Sequence, residues 1–291
     1  MIEIEPHKII TKDLHQYLLS IIGPRPIALA STIDLNGNKN VSPFSFFNIF
    51  SANPPIAVFS PARRVRDNSK KDTLNNIREV KEVVINVVNY DLVEQSSLAS
   101  NDYPKDIDEF IKAGLTPVRS KKIKPFRVQE SPVQMECKVN DIIELGKNGG
   151  AGNLIICEVL LIHISKHILN DENKIDQHKI KLIGRMGSNW YSKGFDEALF
   201  EVKKPAQTIG IGFDQIPNEI KNNPIFNQSE LSKLASINQI PSNKEVNLFK
   251  QNLKKEQDND PKKNHFNAKK CIQYGDINKA WKYLLIDKLN I

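Results

Sequence analysis

In the first half of the chain, apolar residues fall in short runs rich in Val, Ile and Phe, separated by turn-forming residues and lacking a sustained helical period. The pattern predicts strands at Ile27–Thr32, Asn40–Phe50, Ile56–Ser60, Val83–Val88, Val133–Leu145, Asn153–His167 and Lys179–Ile183. Between the first two, Asn36-Gly37 favours a tight hairpin turn, because this pair readily takes positive φ angles. Three helices interrupt the strands: one capped by Thr73 and running to about Val80, one capped by Asp91 and ending near Ser100, and a short one from Asp108 to Ala113, stopped by Gly114. Antiparallel strands with a few helices predict a mainly β fold, a barrel with α additions, and disfavour a doubly wound parallel sheet.

After Pro205 the texture changes to short polar helices punctuated by Gly210, Gly212, Pro217, Pro224 and Pro241, and then to a Lys/Asn-rich stretch. A terminal amphipathic helix is expected over Ile277–Leu289, with Ala280, Tyr283, Leu284 and Lys288 in its repeat. The expected organisation is a barrel over 1–205, an extension arm over 206–243, and a weakly determined tail over 244–291. No internal repeat is evident.

Charge changes the picture little. The formal net charge is +7, but residues 244–291 hold eleven lysines against six acidic residues, so most of the excess belongs to the tail. A solvated basic surface is expected there, with no nucleic-acid partner. No apolar run approaches the ~20 residues of a membrane span, so no membrane association is expected. The N-terminus lacks the basic and small-residue features of a secretory signal, and Cys137, Cys157 and Cys271 have no metal-type spacing. Reduced thiols in the cytoplasm are the expectation.

Three segments carry candidate chemistry. In Pro43–Phe50, the alternation of a strand brings Ser45, Phe46, Phe47 and Asn48 into a mixed aromatic and polar surface suited to a flat heteroaromatic ligand, or simply to a core strand with satisfied polar groups. The segment Ser60–Thr73 gathers five cations, including Arg63 and Lys71, just before a predicted helix start, where a phosphate would meet open N–H groups. An exposed basic loop is the alternative. After the last strand, Gly184–Tyr191 combines two glycines, Arg185 and two aromatics, which could cover a ring or form a plain turn. Other signals fail: the glycine-rich stretch 146–152 lacks a P-loop ending and reads as a hairpin loop, Gly210-Ile211-Gly212 is too short for a dinucleotide fingerprint, and no GxSxG is present. His163 and His167 lie too far apart on a strand for a metal site, and none is expected.

Together the stretches GPRPIALAST (23–32), NVSPFSFFNIFSANPPIAVFSPARR (40–64), KDTLNNIRE (71–79), YPKDIDEFIKAGLTPV (103–118), ESPVQMECKV (130–139), GNLIICEV (152–159) and LIGRMGSNWY (182–191) resemble the flavin reductase-like family of FMN-binding split-barrel flavoproteins. The resemblance covers about 200 residues, and 210–235 also resembles an extension of some members. It implies a split β-barrel, here followed by a C-terminal helical or irregular extension, paired as a homodimer with FMN near the interface. By position, Ser31 and Thr32 would lie beside the flavin, Ser45, Phe46, Phe47 and Asn48 would line its ring, and Lys71, Asp72 and Thr73 would receive its phosphate. Ser60 and Arg63 would assist, and Arg185 would face the far side. The implied activity is NAD(P)H-dependent reduction of flavin or a small-molecule electron acceptor, with NADH or NADPH as donor; an FMN-binding electron carrier or flavin sensor is the alternative. The chemistry would belong to the flavin, so no side chain is expected to act as a catalytic acid or base.

Overall fold

The computed structural model describes residues 1–104, 107–202, 209–253 and 261–286. The chain divides into two compact units, Met1–Phe200 and Glu201–Ile291. The expected boundary at 205/206 lies outside the described residues.

The first unit opens with helix α1 (Thr11–Ile21), followed by strands β1 (Ala28–Ile33), β2 (Lys39–Phe44), β3 (Phe47–Ala52) and β4 (Pro55–Phe59). Helix α2 (Asp72–Val80) leads into β5 (Glu82–Val87), and α3 (Val93–Leu98) and α4 (Glu109–Lys112) precede the short pair β6 (Pro117–Val118) and β7 (Arg127–Val128). Two long strands follow, β8 (Val133–Glu144) and β9 (Asn153–Ile164), and then the hairpin β10 (Leu182–Arg185) and β11 (Tyr191–Gly194).

Seven strands form one antiparallel sheet in the order β2-β1-β5-β8-β9-β4-β3. The two edge strands, β2 and β3, are consecutive in the chain and joined only by Ser45 and Phe46. A link of that length reaches at most about 11 Å. The sheet must therefore curl until its edges nearly meet, yet β2 and β3 share no ladder, which makes the barrel split at Ser45–Phe46. Inside it, Ala28, Ala30, Phe59, Leu74, Ile77, Val83, Ile85, Cys137, Ile155 and Cys157 form the core.

Several expectations are corrected. The single strand expected over 40–50 is two strands on opposite edges, because the chain turns at Ser45–Phe46. Thr73 does not cap α2: Lys71 holds the N-cap position without a side-chain cap bond, and Thr73 is buried inside the first turn. Asn89, not Asp91, caps the turn before α3 by accepting from the Leu92 amide. Asp108 does cap α4, and Gly114 follows it at φ +64°. Of Asn36-Gly37 only Gly37 has positive φ, at +84°, since the loop between β1 and β2 runs over 34–38 and is organised by Asp34, which accepts from the Asn36 and Asn38 amides. The last expected strand begins at Leu182, outside the main sheet. Helix α1 was not anticipated.

The second unit is helical: α5 (Asn218–Lys221), α6 (Gln228–Ala235), α7 (Asn243–Leu253), α8 (Pro261–Gln273) and α9 (Ile277–Leu285). Asn227 and Glu230 form a capping box at α6. Leu231 and Leu234 pack with Val246, Ala268, Ile272 and Trp281, and the Trp281 indole donates to the Leu234 carbonyl at 3.0 Å. Residue 243 is thus no packing boundary, and arm and tail share one core. The expected last turn of the terminal helix, 287–289, lies outside the described residues.

Candidate flavin site at the barrel seam

The seam brings the aromatic segment and the basic segment together. The Ser60 amide at the end of β4 donates to the Phe46 carbonyl at 2.9 Å, and Phe47 pairs with Phe59. Phe46 is 39% exposed, and its ring meets the edge of His15 on α1 at 6.3 Å between centroids. Burial, then the Arg25 charge, pushes the His15 imidazole below its ordinary pKa of 6.5, so it is neutral at pH 7. Asn48 is exposed; its Oδ1 accepts from the Ile49 amide, leaving its amide N–H groups open.

Past Ser60, the loop is stitched to the β8–β9 turn. The Ser60 hydroxyl accepts from the Asn153 amide, the Asn153 side chain donates to the Pro61 carbonyl, the Arg63 amide donates to the Ala151 carbonyl and the Arg63 carbonyl accepts from the Gly150 amide. Two buried side-chain atoms here have no partner: Arg63 Nε, a donor, and Asn153 Oδ1, an acceptor. Further along, Asp102 gathers Arg64, Arg66 and Lys71 at 2.7–3.0 Å. The Arg64 hydrogen bond, reinforced by Lys71, holds the Asp102 carboxyl at about 2 against an opposing burial effect. The chain then enters α2 with no cap bond from the Lys71 side chain; the Leu74 and Asn75 amides donate to the Lys71 carbonyl, so only the first two amides of the helix are candidates for an anion.

The other expected residues stand differently. Ser31 is fully buried and its hydroxyl donates to the Phe126 carbonyl. Thr32 and Thr73 both donate to Asn40 Oδ1, at 3.2 and 2.9 Å; Asn76 donates to Thr32, and Asn40 donates to Glu109. These hydroxyls are spent locking α2 onto β1 and β2. Asp72 borders a narrow cleft with Asn40, Asn76 and Glu109. Burial raises the Glu109 carboxyl above its ordinary value.

Arg185 and Ser45 border one cavity. A cavity of about 200 Å³ is lined by Ile27, Pro43, Ser45, Ser96, Ser97, Ser100, Arg185 and Tyr191. Of the twelve expected residues, Ser45 and Arg185 share this cavity. The serines of α3 and Arg25 escaped the sequence reading. Arg25 carried a signal in its GPRP context, but the α3 serines are near the seam only through the fold.

A family model, "Flavin reductase like domain", matches residues 23–179, more than half of the chain. The chain belongs to the flavin reductase-like family. It is 36% identical over 189 residues to an uncharacterized protein of Aquifex aeolicus, covering 65% of this chain and 94% of that one. Among solved structures, component B of nitrilotriacetate monooxygenase from Bacillus cereus is similar at 30% identity and a TM-score of 0.64, covering 69% of this chain and 98% of the other. The 2-nitrobenzoate 2-nitroreductase NbaA of Pseudomonas fluorescens is similar at 25% identity and a TM-score of 0.61, covering 69% and 96%. A Shewanella frigidimarina protein with a split barrel domain is similar at 26% identity and a TM-score of 0.57, covering 68% and 96%.

The fold is therefore that of the split-barrel flavin reductase-like proteins, carrying C-terminal helices, and the family assigns the chain to flavin-linked oxidoreductases. No helix of the described residues is long and apolar enough to cross a membrane, and no group of three or more His, Cys, Asp or Glu among them could hold a metal.

Proposed function

We propose that this chain is an FMN-dependent oxidoreductase that takes electrons from NADH or NADPH and delivers them to flavin or another small-molecule acceptor. The carrying observation is the pair of unpartnered buried atoms on the Ser60–Asn153 stitch. Buried polar atoms in folded proteins are almost always bonded, so this donor and this acceptor call for a partner, either a bound ligand or an ordered water. Arg63 Nε suits a phosphate oxygen, and Asn153 Oδ1 suits a hydroxyl of a sugar-alcohol chain; a ribityl phosphate carries both groups. The residues therefore fit FMN, and the uncapped start of α2 with Lys71 adds favourable charge for the phosphate.

Bound flavin would supply two-electron chemistry, accepting hydride and releasing electrons to an acceptor. The protein's part is placement. Phe46 offers an apolar wall, Ser45 and the free amide of Asn48 offer donors to ring carbonyls, and neutral His15 adds no charge beside the ring. The homodimer belongs to the same reading. It is supported by exposed apolar side chains on α1 (Tyr17, Leu18, Ile21), β3 (Ile49, Phe50) and β9 (Leu160, Ile162, Ile164), which a partner subunit would cover. Three free cysteines, two of them buried, suit a reducing cytoplasm.

The test is anaerobic reduction. The purified full chain should be yellow, should release one FMN per chain on denaturation, and should bleach rapidly with NADH or NADPH. A chain that binds FMN but is not reduced by either nucleotide is the electron carrier or sensor instead, and a chain that binds no flavin overturns the proposal.

A further inference from the structure

Arg25 and Arg185 face each other across a backbone bridge in which each amide donates to the other's carbonyl, at 3.0 and 2.8 Å. Like charges directly opposite on paired strands destabilise a fold. The chain is nonetheless built to hold them there: a Cβ at Gly184 would overlap Pro24, so glycine permits this close pairing. Among the described residues, no carboxylate forms an ion pair with either arginine.

The two guanidinium groups are not equivalent. Arg25 is 5% exposed and spends its donors on the carbonyls of Leu19, Ile22 and Met186, with Nε reaching the Ser45 hydroxyl at 3.4 Å. Burial first, and the Arg185 charge second, disfavour its protonated form. Arg185 stacks on Tyr191 with its guanidinium carbon 4.6 Å from the ring centroid, and donates one N–H to the Trp190 carbonyl. Arg185 borders the 200 Å³ cavity together with Ser45, Ser96, Ser97 and Ser100, of which Ser100 donates its hydroxyl to the Ser97 carbonyl at 2.6 Å.

We infer that this cavity is a docking site for an oxyanion, a carboxylate or phosphate, carried by one of the two molecules that exchange electrons with the flavin. Arg185, a planar cation without a carboxylate partner among the described residues, borders the space with four serines, and Arg25 stands behind Ser45 as a second positive charge; an oxyanion there meets charge-assisted donors, and its charge relieves the repulsion between the arginines. The volume is below the roughly 300 Å³ at which ordinary ligand pockets begin, so the space suits a reactant's anionic group and not the cofactor. Ser45 joins the cavity to the Phe46–Asn48 segment, which puts the anion beside the proposed ring site. The inference rests on the flavin oxidoreductase reading and adds the class of molecule served.

The experiment titrates the flavin-loaded full chain with inorganic phosphate and with benzoate by calorimetry, in the wild type and in Arg185→Gln, Arg185→Lys and Ser97→Ala. At least one anion should bind the wild type. Arg185→Gln should weaken it about tenfold to a hundredfold, as expected for loss of a charge-assisted bond, Arg185→Lys should weaken it less, and Ser97→Ala should cost about threefold. Preference for phosphate identifies a nucleotide, the nicotinamide donor or a flavin acceptor, as the source of the anion, and preference for benzoate identifies a carboxylate acceptor. FMN affinity should change less than about twofold in Ser97→Ala. Absence of anion binding in the wild type, equal binding in wild type and Arg185→Gln, or loss of FMN in step with the anion would each overturn the inference. Should Arg185→Gln fail to fold, Arg185→Lys and Ser97→Ala decide it. A wild type that binds FMN but is not reduced by NAD(P)H defeats the enzyme reading alone, because anion binding is read without turnover.

Discussion

Replacing Asn40 with alanine probes the joint that sets α2 against the sheet. The side chain accepts from the Thr32 and Thr73 hydroxyls and donates to Glu109 Oε1 at 3.0 Å, all in buried surroundings. Each neutral bond contributes a net ~1 kcal/mol, and the bond to a carboxylate about 1.5–3 kcal/mol. A water entering the vacated space recovers part of this, so Asn40→Ala should cost about 3 kcal/mol. A chain of two compact units does not guarantee a single unfolding transition, so the readout should be local: native-state hydrogen exchange of peptides covering α2 and β1–β2 along a urea series. Asn40→Asp adds a pH signature. Burial already raises the Glu109 carboxyl, and a second carboxylate beside it would raise it further. A group with a raised folded pKa contributes its stability fully below its unfolded value, near 4.5, and loses it as pH rises through the folded value. The deficit of Asn40→Asp should therefore be largest at neutral pH and shrink toward pH 4. A loss under about 1 kcal/mol in Asn40→Ala, or a pH-independent deficit in Asn40→Asp, would refute the network argument.

Other outcomes follow from the same geometry. Arg63→Ala should weaken FMN binding about tenfold or more while leaving far-UV circular dichroism unchanged, measured by quenching of flavin fluorescence. The depressed Asp102 carboxyl supports its loop above its ordinary value near 3.8 and releases it as pH falls toward about 2, so exchange protection over 63–71 should hold to pH 4 and fall below it, with Asp102→Asn unprotected throughout. Burial pushes the Cys137 thiol up to about 12 and raises Cys157 as well, so neither should react with an aromatic disulfide reagent at pH 8 until the barrel unfolds, whereas half-buried Cys271 should react first. Trp281→Ala should cost the helical unit about 3–5 kcal/mol, seen as loss of exchange protection in α6 and α9 with the barrel unaffected.

The strands were legible because Val, Ile and Phe cluster where a strand is buried on at least one face, as in β4 and β5. The break at Ser45–Phe46 was not, since polar and aromatic residues continue the alternation through it and only the sheet's closure makes a turn there necessary. Helix α1 was readable in principle: Leu14, Tyr17, Leu18 and Ile21 keep a helical spacing. Lys and Asn on the surfaces of α7 and α8 masked the sparse apolar positions, such as Val246 and Ala268, that build the second core. At the candidate site, charge and aromaticity suggest Phe46, Arg63 and Lys71, which remain proposals, but local sequence says nothing of where a hydroxyl spends its proton. Thr32 and Thr73 read as ligand donors until the fold shows them bonded to Asn40.

The two-residue connection between the outermost strands has a mechanical consequence. In an ordinary open sheet the edges move independently, but here any breathing of the cylinder must be absorbed by the backbone torsions of Ser45 and Phe46. In the proposed function those residues would also supply a hydroxyl and an aromatic wall to the flavin, so fluctuations of the whole barrel would be geared to the width of that site.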